Sequence, residues 1–186
     1  MMITITGVPC SGKSTVAKTF ASKYNFEYMS TGGIVRQMAK DRGIDIVEMQ
    51  KVLNEDESID RKIEDMQIDL GKTRIDDNLI LESRLGWYCV PKSFKVYVTI
   101  PAEEMAKRFL NDTERENDKL VNSLDEALKV LNYRREQEIT RYKKYYGVDL
   151  ADYNNYNLVV ENYGKTPEKT AEEIFEAYKK YLKEDN

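Results

Sequence analysis

The chain has 186 residues, 29 Lys and Arg against 33 Asp and Glu for a net charge of −4, and no histidine. A mildly acidic surface argues against a nucleic-acid footprint, and the lack of imidazole removes the usual general base, the usual metal ligand and every His-based triad. Cys10 and Cys89 cannot staple a secreted fold, and no apolar run approaches the roughly 20 residues of a membrane span, so a cytoplasmic protein with no membrane partner is expected.

Met2–Thr6 alternates apolar side chains with threonine, as a short buried strand does, and Gly7-Val8-Pro9-Cys10-Ser11-Gly12-Lys13-Ser14 follows at once. This run fits G-x-x-x-x-G-K-[ST]. Val16, Ala17, Phe20, Ala21 and Tyr24 then form one stripe of an amphipathic helix, so the glycine loop lies between a strand and a helix, where such a loop wraps phosphates. Gly7 and Gly12 leave space for backbone N–H groups to turn inward, and the helix start adds partial positive charge. Lys13 is placed to bridge the β- and γ-phosphates of ATP, Ser14 to set its hydroxyl on Mg²⁺, and Thr15 to lie near the α-phosphate. Pro9, Cys10 and Ser11 complete the cradle.

Phe26–Met29 predicts a second strand, followed by a turn at Ser30-Thr31-Gly32-Gly33 and a helix through Ile34, Val35 and Met38. Asp45 with Glu48 reads as a capping box for a short helix carrying Met49, Val52 and Leu53, and Ser58 opens a third helix with Ile59, Ile63, Met66 and Leu70 inward. Asn78–Glu82 is a compact buried strand ending in an acid. Phe94–Ile100 is another, and Pro101 suits the first turn of the helix through Met105, Ala106 and Phe109. Asn111–Asn122 is almost free of apolar residues and predicts a mobile lid. Leu124, Leu128 and Leu131 resume a helix towards Arg134–Tyr146, Tyr156–Glu161 gives a fifth strand, and Thr166-Pro167 caps a last helix with Ala171, Ile174, Phe175, Tyr178 and Leu182 inward.

Strands alternating with helices predict an α/β three-layer sandwich, a five-stranded parallel sheet with helices on both faces. One domain over 1–186 is expected, with a helical insertion at about 31–75 and a lid at about 109–135.

Phosphoryl transfer suits a chain without histidine, because the protein there supplies positioning and charge. Arg36, Arg84 and the pair Arg134 and Arg141 arrive from three separate elements, and the seven-residue step from Arg134 to Arg141 keeps both on one helical face. Four guanidiniums of this kind can surround two anionic substrates and neutralise the charge that develops between them.

Gly7–Thr15, Ser30-Thr31-Gly32 with Arg36, and Glu82-Ser83-Arg84-Leu85-Gly86-Trp87 resemble the nucleoside monophosphate kinases, closest the short archaeal-type cytidylate kinases. Arg141-Tyr142 leading to Tyr145-Tyr146-Gly147-Val148-Asp149 is similar to that family's C-terminal pattern, and the resemblance covers nearly the whole chain. It implies a P-loop kinase fold in which the insertion binds the acceptor. Thr31, Gly32, Arg36 and Arg84 would hold the acceptor monophosphate, Arg108 would lie against the ATP adenine, and Arg134 and Arg141 would reach the transferring phosphate. Cys10 and Ser83 stand where the family tends to have glycine, and Asn111–Asn122 is longer and more acidic than the family's usual lid.

Asp60, Arg61 and Asp65 lie where a helix could read the acceptor base, since cytosine's amine wants a carboxylate and its carbonyl a donor. The expected protein is thus a monomer that moves the γ-phosphate of MgATP to CMP or dCMP. The alternatives are a P-loop kinase of AMP, UMP or a small metabolite, and a nucleotide-binding ATPase switch.

Overall fold

The computed structural model describes residues 1–44, 46–112 and 121–184. Five parallel strands, β1 Ile3–Gly7, β2 Glu27–Ser30, β3 Leu79–Glu82, β4 Phe94–Thr99 and β5 Leu158–Glu161, form a sheet in the order β2-β3-β1-β4-β5. The helices are α1 Lys13–Tyr24, α2 Thr31–Asp41, α3 Ile46–Glu55, α4 Glu57–Thr73, α5 Gly86–Cys89, α6 Ala102–Asn111, α7 Leu124–Tyr146 and α8 Pro167–Glu184. The chain leaves β1 for one flank of the sheet and later returns to the other, so the loop after β1 opens at a topological switch point, where α/β folds bind ligands.

β1 is buried throughout, threonines included, because it is the central strand of a parallel sheet covered on both faces. Ile3 and Ile5 pack with Ile80, Val96 and Val98 beneath α1 and α8, where Phe20, Ala171, Ile174 and Tyr178 close one face of the sheet. Met2, Leu79 and Leu81 face the other way and pack with Leu85, Trp87 and Tyr142. Thr4, also inside, satisfies its hydroxyl against Ser93 Oγ at 2.9 Å.

Local chemistry moves some boundaries from where periodicity put them. α2 begins at Thr31 rather than after a turn through Gly33, because Ser30 Oγ accepts the Gly33 N–H at 3.4 Å and caps the helix there. α4 likewise starts at Glu57, ahead of Ser58, with Asp56 Oδ1 taking the Ser58 N–H at 3.0 Å. α5 is a single turn that no sequence period foretold. α7 runs 23 residues from the Ser123 cap to Gly147, whose φ of 70° ends it; Leu124 is exposed, and Ala127 and Leu131 carry the buried stripe instead.

α2, α3 and α4 are inserted between β2 and β3 and share a small apolar cluster of Ala39, Met49, Leu53 and Ile59. Asp45, expected to open the capping box of α3, and residues 113–120 of the expected lid lie outside the described residues.

Candidate active site

The phosphate loop is shaped by two close approaches. A Cβ on Gly7 would lie 2.1 Å from Val98 O, so only glycine lets β1 turn into the loop beside β4. Gly12 takes φ 79° at the start of α1, and a Cβ there would lie 2.8 Å from Asn162 Nδ2. Cys10 also adopts positive φ, 56°, the left-handed region that favours glycine.

The loop is clamped from the side of β5 and α6. Asn162, buried after β5, donates from Nδ2 to Ser11 O at 2.7 Å and accepts the Thr170 hydroxyl at 2.7 Å. Arg108 donates to Ser11 O at 3.4 Å and to Asn162 O at 3.1 Å, while its Nε is held by Glu104 at 2.8 Å. The sequence marked Arg108 as a nucleotide contact; the structure places it against the peptide of the loop itself. Ser11 Oγ is buried and meets no partner among the described residues.

On the other side stands an acid that the sequence reading did not assign. Glu82, the last residue of β3, accepts the Ser14 hydroxyl at 2.7 Å on Oε1 and the Tyr28 hydroxyl on Oε2, with Lys13 Nζ 4.0 Å from Oε1. Burial works to keep the Glu82 proton on, but the Lys13 charge and the Tyr28, Ser14 and Ser30 hydroxyls outweigh it and hold the carboxyl below its usual range. Burial, with the Glu82 bond second, pushes the Tyr28 hydroxyl up to about 12. A carboxylate beside the loop serine, with the serine's proton turned onto it, leaves the Ser14 oxygen lone pairs for a hard cation. Ser14 and Glu82 therefore fit a hydrated Mg²⁺.

Arg84 is held at two points, its Nη1 donating to Gly7 O at 2.8 Å and its Nε 3.0 Å from Glu138 Oε2 of α7. With Gly7, Pro9, Tyr97, Arg135 and Glu138 it lines a cavity of about 20 Å³, room for one water-sized group. Arg36 is exposed on α2 and turns back towards its start, its Nη1 3.5 Å from where a Gly32 Cβ would be. Thr31 Oγ1 donates to Glu82 O at 3.4 Å.

Arg134 and Arg141 part company. Arg134 lies over the Phe109 ring, 5.7 Å from its centroid. Arg141 is buried against the insertion, with Nε 3.1 Å from Asp60 Oδ2 in an ion pair whose N–H is not aligned on that oxygen, and Nη1 donating to Asn54 Oδ1 at 3.0 Å. The Tyr145 hydroxyl reaches Asn54 O at 3.1 Å, and the Tyr146 hydroxyl donates to Glu64. α3 and α4 thus meet the end of α7 through polar groups.

Of the three α4 residues marked by sequence, Asp60 is buried, whereas Arg61 is exposed beside Glu57 and Asp65 is exposed. Burial, which outweighs the neighbouring Arg141 charge, raises the Asp60 pKa. The other inward polar residues of α4 are Glu64 and Gln67. Their offsets of four and seven from Asp60 put all three on one face, a signal the sequence did contain.

Among the described residues there is no group of three or more metal-ligating side chains and no helix long and apolar enough to cross a membrane. A shikimate kinase from Bacteroides thetaiotaomicron superposes with a TM-score of 0.66 over 98% of both chains at 11% identity, and one from Acinetobacter baumannii in complex with shikimate gives 0.62 at 17% over 97% of this chain and 93% of that one. At such identities the likeness shows the P-loop kinase fold alone. Cytidylate kinase of Methanocaldococcus jannaschii is 38% identical over 167 residues, 87% of this chain and 88% of that protein. Cytidylate kinase of Natronomonas pharaonis is 32% identical over all of this chain and 93% of its own length. Residues 2–163 match the profile of the cytidylate kinase-like family, and with the glycine loop, the Glu82 acid and Arg84 converging at one end of the sheet, the chain belongs to that family.

Proposed function

We propose that the protein transfers the γ-phosphate of ATP to a cytidine monophosphate, CMP or dCMP, giving the diphosphate. The observation that carries this reading is that the glycine loop before Lys13 meets Arg84 at the end of β1, the Arg84 guanidinium donating to Gly7 O at 2.8 Å. A donor phosphate in the loop and an acceptor phosphate on Arg84 would then lie close to each other at the end of β1.

In this reading the loop N–H groups and Lys13 hold the β- and γ-phosphates, and Gly7, Pro9, Cys10, Ser11, Gly12 and Thr15 give the loop its wrap. Ser14 and Glu82 would hold Mg²⁺, which would supply positive charge to offset that of the donor phosphates. Arg36 and Arg84 bind the acceptor phosphate, with Thr31 and Gly32 lining its approach. Arg134 and Arg141 add positive charge as the phosphoryl group moves, and for Arg141 this requires exchanging Asp60 for a phosphate oxygen. Arg108 fixes the loop edge on the adenine side, and the insertion at about 31–75 and lid at about 109–135 close over the nucleotides and exclude water. Asp60 and Glu64 are the α4 carboxylates that turn inward, and Asp60, with the exposed Arg61 next to it, is the one assigned to the acceptor.

The test is ADP release from ATP with CMP, dCMP, UMP, AMP or no acceptor. CMP and dCMP are expected to give the highest kcat/KM, and release that is independent of acceptor sinks the proposal.

A further inference from the structure

Asp60, Glu64 and Gln67 form a polar stripe on the inner face of α4, exposed by only 3%, 6% and 1%. Polar groups buried at that depth are costly unless partnered. Asp60 has Arg141 and Glu64 has Tyr146, but Gln67 is only half satisfied. Its Nε2 donates to Ile63 O at 3.1 Å, which fixes the amide's orientation, because the opposite assignment would set oxygen against oxygen. Gln67 Oε1 is thereby turned elsewhere, and it meets no donor among the described residues.

α4 packs on α5, the helical turn that follows Arg84 directly. α5 carries the complementary orphan: Trp87 is 7% exposed, and its Nε1 meets no acceptor among the described residues. Two helices in contact thus hold one spare acceptor and one spare donor, next to the arginine assigned to the acceptor phosphate. Cytosine presents an amine donor beside a ring-nitrogen acceptor, and uracil reverses both.

We propose that Gln67 Oε1 accepts the exocyclic amine of the acceptor base and is the group that makes the site prefer cytosine to uracil, with Trp87 Nε1 as the donor to the base's acceptor edge. This rests on the reading of the chain as a nucleoside monophosphate kinase. Uracil would set its carbonyl against Gln67 and its N–H against Trp87, leaving all four groups buried and unpaired. A site built to hydrogen-bond a group rejects the analogue that lacks it for this reason. The stripe also explains why α4 turns polar residues inward where the amphipathic pattern of a surface helix asks for apolar ones.

The experiment measures kcat/KM for CMP and UMP on wild type, Gln67→Met, Gln67→Glu and Trp87→Phe, with the ATP KM and thermal midpoint recorded for each. Gln67→Met keeps the side chain's length and removes the acceptor, so the CMP value should fall about 10- to 100-fold while UMP changes by less than about threefold. Gln67→Glu retains an acceptor and should keep most of the CMP preference. Trp87→Phe should narrow the CMP/UMP ratio on its own, which keeps the proposal testable if Gln67→Met does not fold. A folded Gln67→Met or Trp87→Phe enzyme with the wild-type ratio overturns the proposal. Wild type that uses CMP and UMP equally overturns it while the kinase reading stands, and wild type that phosphorylates no monophosphate overturns both.

Discussion

At the phosphate loop, Glu82 receives two hydroxyl hydrogen bonds and faces Lys13, and Ser11 O receives both Asn162 and Arg108. Along the α4 stripe, side chains just as deeply buried are served less well: burial pushes the Glu64 carboxyl up to about 7, and Gln67 Oε1 has no donor among the described residues. The first region holds its charges ready for a phosphate, so binding there costs little reorganisation. In the second, Asp60 and Glu64 have protein partners but one buried acceptor is left over, which a ligand's edge would pair. On the proposed reading, donor recognition would be carried by backbone and preset charge, and acceptor recognition by side chains of the inserted helices together with Arg84 and Trp87 beyond β3.

The largest effect should come from breaking the first region at its charge. Lys13→Met removes the cation assigned to the β- and γ-phosphates and should lower kcat by about 10³-fold or more, while the fold is retained because the Ser14 and Tyr28 hydroxyls still serve Glu82. Steady-state rates beside a melting curve check both halves, and near-normal turnover would contradict the assignment.

Arg84→Ala should come next, because it severs the link between the two regions. CMP affinity is expected to fall by about 2–4 kcal/mol with ADP affinity nearly unchanged, and Arg36→Ala should act in the same direction but less, its guanidinium being exposed. Calorimetric titration of each variant with both nucleotides separates them, and equal losses for the two nucleotides would place these arginines elsewhere.

Glu64 sharpens the contrast through pH. Its folded carboxyl binds a proton more tightly than the unfolded one, chiefly through burial, so this group's contribution to stability is greatest below about pH 4.5 and is lost as pH rises through about 7. The loss at pH 8 is on the order of 2–3 kcal/mol, and Glu64→Gln should remove most of it. Urea unfolding of both proteins at pH 5 and pH 8 decides this: the variant should gain at pH 8 and show little change at pH 5.

The smallest effect is expected at Asn162→Ala. Losing one hydrogen bond to the loop peptide should weaken ATP binding by about 1 kcal/mol and leave CMP binding alone, since Arg108 still holds Ser11 O. Titration of both nucleotides checks the split.

Much of the fold was legible because it rests on local patterns. The alternation of β1, the glycine loop and the stripe from Val16 to Tyr24 each name their own element, and five alternating strands name the sheet. Helix starts at Thr31 and Glu57 were misplaced because single capping side chains, Ser30 and Asp56, decide them. The loop side of the site was equally plain, but Glu82 was seen only as the end of a strand. Its role depends on Ser14 and Tyr28, which the fold brings from 68 and 54 residues away. Asn162 has no local signal for the same reason. Glu64 and Gln67 did have one in their spacing from Asp60, but spacing alone does not say which face of α4 turns inward; packing on α5 and α7 decides that, so the sequence reading named Arg61 and Asp65 beside Asp60.

The most direct test of the central claim follows phosphorus through a single reaction. The purified protein with MgATP and equimolar CMP, observed by ³¹P NMR, should lose the γ-phosphate signal of ATP and gain the β-phosphate signals of ADP and CDP in equal amounts, with no inorganic phosphate. Inorganic phosphate appearing in place of CDP, or an unchanged spectrum beside rapid transfer to AMP, would contradict the account.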